Sequence, residues 1–383
     1  MGEFTKSVLP VYIVPGTRKL KPSKWFTALF ILFLALVPIH YIITDSTWIV
    51  KLFISANIFA IFAMSWDLLS GYTGQENFGH HFFVGVGGYL VGLFAVALVS
   101  GATIKGVEMP ALIGVKLPAI VIILGGGVVG AIFGLLIGIL CLRLAGPYLA
   151  LATLAMGFLF VEFTDRILPG LNPILETHAT EGIYNIPHLT GGNITQLYYI
   201  VLGVLIVSLL FHYTITRSNY GLLLKAIRED ETATKAVGIN TTFYKVMIFT
   251  ISAFFAGIGG TFLAYSVEAI AASYVDTHLL LKIISICIVG GMGTITGGFG
   301  GAYFLMLALL GMDEIARFLS DVTDISGIRE AYKVFEDIFY YAVIIIVMLF
   351  MPEGIITSII KKSTVLYYKV KGPQNVQADK AET

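Results

Sequence analysis

The sequence predicts an all-α polytopic membrane protein, a helical bundle of about 8–10 transmembrane spans. Three observations carry that prediction. Hydrophobic residues fill 57% of the 383 positions and charged residues only 13%, where a soluble domain carries about 25% charged residues. Mean hydropathy is +0.87, so lipid must contact much of the surface. The apolar residues fall in long continuous runs, not in the alternating stretches of a membrane barrel, and such runs are helical because only a helix satisfies its backbone polar groups internally in hydrocarbon.

The first 24 residues are polar and basic, with Lys6, Arg18, Lys19, Lys21 and Lys24. The apolar run 25–43 is longer than the ~7–15-residue core of a cleaved signal peptide and reads as an uncleaved first span. Further spans are expected at 48–69, 82–99, 117–142, 147–168, 197–216, 246–267 and 338–351. The apolar stretch 279–311 is interrupted by Gly290, Gly291, Gly293, Gly297 and Gly298. It reads either as two spans joined by a glycine turn or as a re-entrant pair, which leaves the count at eight or ten. Gly126, Gly130, Gly134 and Gly138 lie four apart and form a small-residue stripe that lets a neighbouring helix approach closely. The two cysteines, Cys141 and Cys287, lie in apolar stretches and read as packing residues, with no disulfide framework or metal-ligand spacing.

Lys and Arg placement orients the chain. With the N-terminus inside, segments 1–24, 70–81, 143–146, 217–245 and 361–383 are cytoplasmic and hold 16 of the 24 Lys and Arg. Segment 169–196 has neither, and 312–337 is rich in Asp and Glu, so both read as external. Both termini are then cytoplasmic, and the tail 361–383 reads as polar and disordered. The net charge of zero offers no field for nucleic acid.

The segment 217–245, RSNYGLLLKAIREDETATKAVGINTTFYK, is charged yet lies between two apolar spans. Leu223, Ala226, Ile227, Ala233, Ala236 and Val237 can form apolar faces on short helices. Such helices either rest on the membrane or dock a soluble partner.

Four more stretches are distinctive: Gly71-Tyr72-Thr73-Gly74-Gln75 with Gly79-His80, Gly85, Gly87 and Tyr89; Arg143 to Leu154, RLAGPYLALATL; Gly290-Gly291-Met292-Gly293-Thr294 with Gly297 and Gly301; and Met351-Pro352-Glu353-Gly354-Ile355. With 217–245 they resemble, in order and over roughly residues 25–360, the branched-chain amino-acid ABC transporter permease family. The resemblance implies a permease domain over 25–360 whose cytoplasmic loop 217–245 carries a coupling helix. Ala226, Ile227, Arg228, Glu229, Asp230, Glu231, Ala233, Ala236 and Gly238 would be its ATPase-coupling residues. It also implies two ABC ATPase subunits, a second permease subunit (identical or different) and an extracytoplasmic substrate-binding protein, in the cytoplasmic membrane. The chain contains no G-x-x-x-x-G-K-[ST], so ATP is expected to be used by the partner subunits and no cofactor to be held here.

Candidates for the substrate path are Gln75, Glu76, Asn77, Tyr148, Thr153 and Glu181, with Asn57 and Asp67 as further polar positions within spans. Asn57, Asp67, Tyr148 and Thr153 either line a polar route or satisfy a neighbouring helix's backbone. Glu76 and Asn77 depart from the family, which has an apolar and a small hydroxyl residue there. Glu76 has three readings: recognition of a polar or cationic part of the substrate, pairing with His80 one helical turn on, or solvation at the start of a span. His178-Ala179 replaces a glycine pair of the family. The implied substrate is a branched-chain amino acid, with urea or short amides as alternatives; an ion-coupled secondary carrier is the alternative class. A metal enzyme built on His80 and His81 is disfavoured, since H-E-x-x-H is absent.

Overall fold

Long apolar runs become helices in the computed structural model, and the polar residues between them set the helix ends. It describes residues 47–94, 119–144, 146–167, 188–323, 327–351 and 353–358, together with 34, 36–39, 41, 103–104, 107–108, 182–184 and 186. Most of the expected span 25–43 lies outside these residues, and segment 1–24, the tail, Glu181 and His178-Ala179 lie outside them entirely.

Eleven helices are described: α1 Trp48–Thr73, α2 His80–Phe94, α3 Ala119–Cys141, α4 Pro147–Glu162, α5 Ile194–Arg217, α6 Asn219–Glu229, α7 Glu231–Ala236, α8 Thr241–Val267, α9 Thr277–Gly290, α10 Ile295–Thr323 and α11 Gly327–Phe350. Their starts follow capping chemistry, in which a side-chain oxygen accepts a free first-turn N–H. Asn193 caps α5, Asp230 caps α7, Asn240 caps α8 and Asp276 caps α9. Pro147 sits at the start of α4, where its missing N–H costs nothing. Gly74 ends α1 with φ 69°, a left-handed cap that favours glycine.

Seven described helical segments are long and apolar enough to cross a membrane. They are α1, α3, α4 with its terminal turn, α5, α8, Ala272–Gly290 and Tyr340–Ser358. Helix α2 is shorter at 15 residues. The fold is that of an all-α polytopic membrane protein. Two minimal antiparallel ladders accompany it: β1 (Thr103–Ile104) with β2 (Val107–Glu108), and β3 (Ile183–Tyr184) with β4 (Ala269–Ile270). The second ties the chain before α5 to the end of α8.

The glycine-broken stretch resolves into two helices, α9 and α10, joined by a turn at residues 291–294. Gly297 and Gly298 lie inside α10 and do not interrupt it. Much of the acidic segment 312–337 is also helical, since α10 runs to Thr323 and α11 begins at Gly327. Glutamate, lysine and arginine are good helix formers, so charge alone did not mark a helix end there.

Helix α1 is central. It is apolar on all sides, is buried along nearly its whole length, and packs on α5, α8 and α10. Helix α3 is two-faced. Its outer side exposes Ile120, Leu124, Val128, Leu135, Ile139 and Leu140, the surface lipid requires. Its inner side carries the glycine stripe, and there it meets α8. A Cβ added at Gly130 would lie 2.5 Å from the Ala253 carbonyl oxygen, and one at Gly134 would lie 2.4 Å from Ala253 Cβ. The approach is mutual, because a Cβ at Gly257 would lie 2.3 Å from the Gly126 carbonyl oxygen.

That crossing yields a prediction. Gly257→Val forces two backbones apart and is expected to destabilise the bundle by about 2–3 kcal/mol or more. Gly203, which has no atom within 4 Å of an added Cβ, is the control. Melting of the detergent-solubilised protein should fall for Gly257→Val and stay unchanged for Gly203→Val.

Candidate functional site

Two irregular stretches interrupt the bundle, and polar side chains gather at both. The first is 74–79. The chain leaves α1 at Gly74 and runs without helix beside the last turns of α1. The Asn77 N–H donates to Ser70 Oγ at 3.3 Å, Trp66 Nε1 donates to the Asn77 carbonyl at 2.7 Å, and Ser65 Oγ lies 3.0 Å from His80 Nε2. Over these residues the chain climbs back along α1, so α2 begins beside Ser65. Asn77 Oδ1 accepts the Gly79 N–H at 2.9 Å. On the other side the Phe78 N–H donates to Thr153 Oγ1 at 3.0 Å. A Cβ at Gly79 would lie 2.4 Å from the Thr153 carbonyl oxygen, so the stretch is clamped between α1 and α4.

The structure therefore brings Asn77 and Thr153 together, beside a narrow cleft also lined by Phe82, Ile137, Met156 and Phe249. Asn77 Nδ2 is buried there without a partner. Gln75 is half-buried, and its Nε2 donates to the Thr73 carbonyl at 3.4 Å. Glu76 is exposed. Its pairing with His80 required a helix that 74–79 does not form, and the His80 ring turns to Ser65 instead. Tyr148 is 71% exposed on the outer side of α4. Five helical positions, about 140° of turn, separate it from Thr153, and the two do not share a face. Asn57 accepts from the Tyr303 hydroxyl, while its Nδ2 has no partner.

The second stretch is the α9–α10 turn, where α1, α6 and residues 353–358 converge. Asp67, buried in α1, accepts the Gly293 N–H on Oδ1 at 2.7 Å, and its Oδ2 is buried without a partner. Arg228 of α6 donates from Nη1 to the Gly71 carbonyl at 2.6 Å. Gly291 and Gly293 hold φ of 118° and 77°, conformations that side chains rarely adopt. Thr294 Oγ1 donates to the Gly291 carbonyl at 2.8 Å. From the far side, Gly354 packs so close that its added Cβ would lie 2.4 Å from Gly291 Cα.

Helices α6 and α7 form the polar segment itself. Their inward face buries Gly221, Leu224, Ile227 and Thr234. Glu231 joins α7 to α8: both its oxygens accept from Lys245 Nζ at 3.1 Å, and Oε1 also accepts from Thr241 Oγ1 at 3.2 Å. Lys235 Nζ lies 2.8 Å from the same carboxylate. Burial pushes the Glu231 carboxyl upward, but the hydrogen bonds from Lys235 and Lys245 outweigh it and hold the pKa below its ordinary value. Asp230 caps α7 by accepting the Ala233 N–H at 2.9 Å. Ala226, Glu229, Ala233, Ala236, Val237 and Gly238 are exposed on the outward face. The nine coupling candidates therefore divide. Ile227 and Glu231 turn to the bundle, Arg228 is exposed but reaches it with its guanidinium, Asp230 serves the local fold, and the rest face out. Asp67 and Lys245 carry more of this site than their sequence context indicated. A carboxylate inside an apolar run and a lysine opening one were the available signals.

A bundle of apolar helices with an amphipathic, charged segment held against its end is the architecture of a polytopic membrane protein. The comparison with known proteins makes this specific. The chain belongs to the family described as the branched-chain amino acid transport system permease component, which it matches over residues 48–348. It is 31% identical over 196 residues to the high-affinity branched-chain amino acid transport system permease protein LivM of Salmonella typhimurium, covering 44% of this chain and 45% of that protein. It is 27% identical to the fructose import permease protein FrcC of Rhizobium meliloti, covering 53% and 59%, and 27% identical to the autoinducer 2 import system permease protein LsrC of Salmonella paratyphi B, covering 42% and 53%. The matched region thus spans less than two thirds of each of these relatives. No solved structure matches the chain.

The Glu231 cluster makes a pH prediction. A carboxyl held below its ordinary 4.5 stabilises the fold above that value, and the stabilisation is lost as pH falls through the folded pKa. Melts taken from neutral pH downward should show wild type losing stability below 4.5, while Glu231→Gln starts lower and gives a flatter profile. Parallel profiles would count against the cluster.

Proposed function

We propose that this chain is a permease subunit of an ABC importer and forms part of the pathway for a small solute, a branched-chain amino acid in the first instance. One observation carries the reading. The α6–α7 segment is fastened to the bundle on one side by Leu224, Ile227, Arg228 and Glu231, and on the other presents Ala226, Ala233, Ala236 and Val237, the last 75% exposed. A small-residue apolar surface that the described residues leave uncovered, flanked by charges, is a docking surface. The reading gives it to two cytosolic ATPases that use ATP outside this chain, with a second permease subunit and an extracytoplasmic binding protein completing the importer. The Lys and Arg distribution supports a cytoplasmic α6–α7 and cytoplasmic termini. The family description and the name of LivM favour branched-chain amino acids, while the names of FrcC and LsrC show how far solutes diverge among relatives.

Co-purification from the native membrane tests this. The expected result is recovery of an ABC ATPase with the wild-type chain and ATP-dependent uptake of labelled leucine by the reconstituted assembly. Val237→Asp combined with Ala233→Trp should insert normally but lose the ATPase. A chain that purifies alone and transports along an ion gradient in liposomes would overturn the proposal in favour of a secondary carrier.

A further inference from the structure

We propose that Arg228 is a positioning residue that links the α6–α7 segment to the α9–α10 break through Gly71 and Asp67. This rests on the importer reading and deepens it by saying how movement of the docked segment enters the bundle. Arg228 is one residue from Ile227 and Glu229, yet its guanidinium does not face the open docking surface. Nη1 donates to the Gly71 carbonyl at 2.6 Å, and a Cβ added at Gly74 would lie 3.3 Å from Arg228 Cγ, so the stem lies along the end of α1. The same nitrogen would be 2.7 Å from a Cβ at Gly293. Gly71 is the crowded centre of the cluster: a Cβ there would lie 2.0 Å from Asp67 Oδ1 and 2.7 Å from the Gly293 backbone nitrogen. Asp67 completes the chain of contacts by accepting that Gly293 N–H.

Three segments distant in sequence therefore meet, and at Gly71 and Gly293 they approach too closely for a side chain. A shift of α6 pulls on the end of α1 and on the turn where α9 becomes α10. That turn is suited to respond, since Gly291 and Gly293 have the backbone freedom that absorbs a change of angle. The link also has a second arrangement available. Asp67 Oδ2 is buried without a hydrogen-bond partner, so a guanidinium released from the Gly71 carbonyl finds a carboxyl oxygen as acceptor inside the same cluster. Two discrete sets of partners for one cation are what a coupling element needs.

The experiment uses the whole reconstituted importer and reads solute taken up per ATP hydrolysed, alongside ATPase recovered per permease. Arg228→Gln and Asp67→Asn are each expected to retain the ATPase while lowering uptake per ATP by about tenfold, within the usual range of coupling between sites. The double variant should be no worse than either single one, because the two residues act as one link. Asp67→Asn keeps an oxygen for the Gly293 N–H and replaces the free Oδ2 with an amide donor, so its effect reports loss of that acceptor and not a lost fold. A wild-type ratio in both single variants overturns the link, as do penalties that multiply in the double variant. Loss of the ATPase from Arg228→Gln overturns it differently, making Arg228 a docking contact and leaving the importer reading standing. Failure of wild type to bring down any ATPase removes the importer reading and the link with it.

Discussion

A helix that ends within a packed bundle leaves backbone groups shut away from solvent, so another part of the chain must satisfy them. This constraint organises the molecule around α1. The 74–79 stretch is sealed by Trp66, Ser70 and Thr153, and the α9–α10 turn by Asp67 and the Thr294 hydroxyl. Three of these five side chains belong to α1, which explains why a helix so apolar carries a tryptophan N–H, a serine and an aspartate on its last turns. Asp67 is the sharpest case. A carboxylate away from water is expensive, and it is retained where a glycine turn leaves an N–H in need of an acceptor.

The same economy explains the glycines. In hydrocarbon, helices are not driven together by hydrophobic burial, so association depends on close packing. The α3–α8 crossing achieves it through Gly126, Gly130 and Gly257, and the α9–α10 crossing through Gly290, Gly297 and Gly301, where an added Cβ would fall within 2.6 Å of a backbone or side-chain atom. The first crossing places a rigid wall beside the Thr153 cleft. The second brings the two helices together just past the turn that Asp67 holds.

Composition and run length made the helices legible, because bilayer thickness fixes the length of a span and leaves few alternatives. The four-residue glycine spacing likewise disclosed the packed face of α3. The path of 74–79 was not legible. Nothing in Gly74-Gln75-Glu76-Asn77-Phe78-Gly79 distinguishes a chain entering the next helix from one climbing back along the previous helix. That choice is made by Ser65, Ser70 and Thr153, the last of them far along the chain. Tyr148 and Thr153 looked alike as polar residues near one helix start, yet helical geometry turns one out and one in. The acidic stretch after Gly311 looked like a break but carries helix-compatible residues, so α10 continues.

The polar segment shows why residue type alone could not assign roles within it. Arg228, Glu229 and Glu231 are neighbouring charges, and a coupling helix read from sequence treats them as one surface. In the fold Arg228 reaches the Gly71 carbonyl, Glu231 is held by Lys245, and Glu229 is left exposed. Replacing all three together would therefore cut two anchors as well as alter the outer face, and a loss of transport would not say which mattered. The apolar positions separate the roles more cleanly, since Leu224 and Ile227 are buried while Ala226, Ala233 and Val237 are not. Here a buried aliphatic face with two charged anchors opposes an exposed face of small apolar residues.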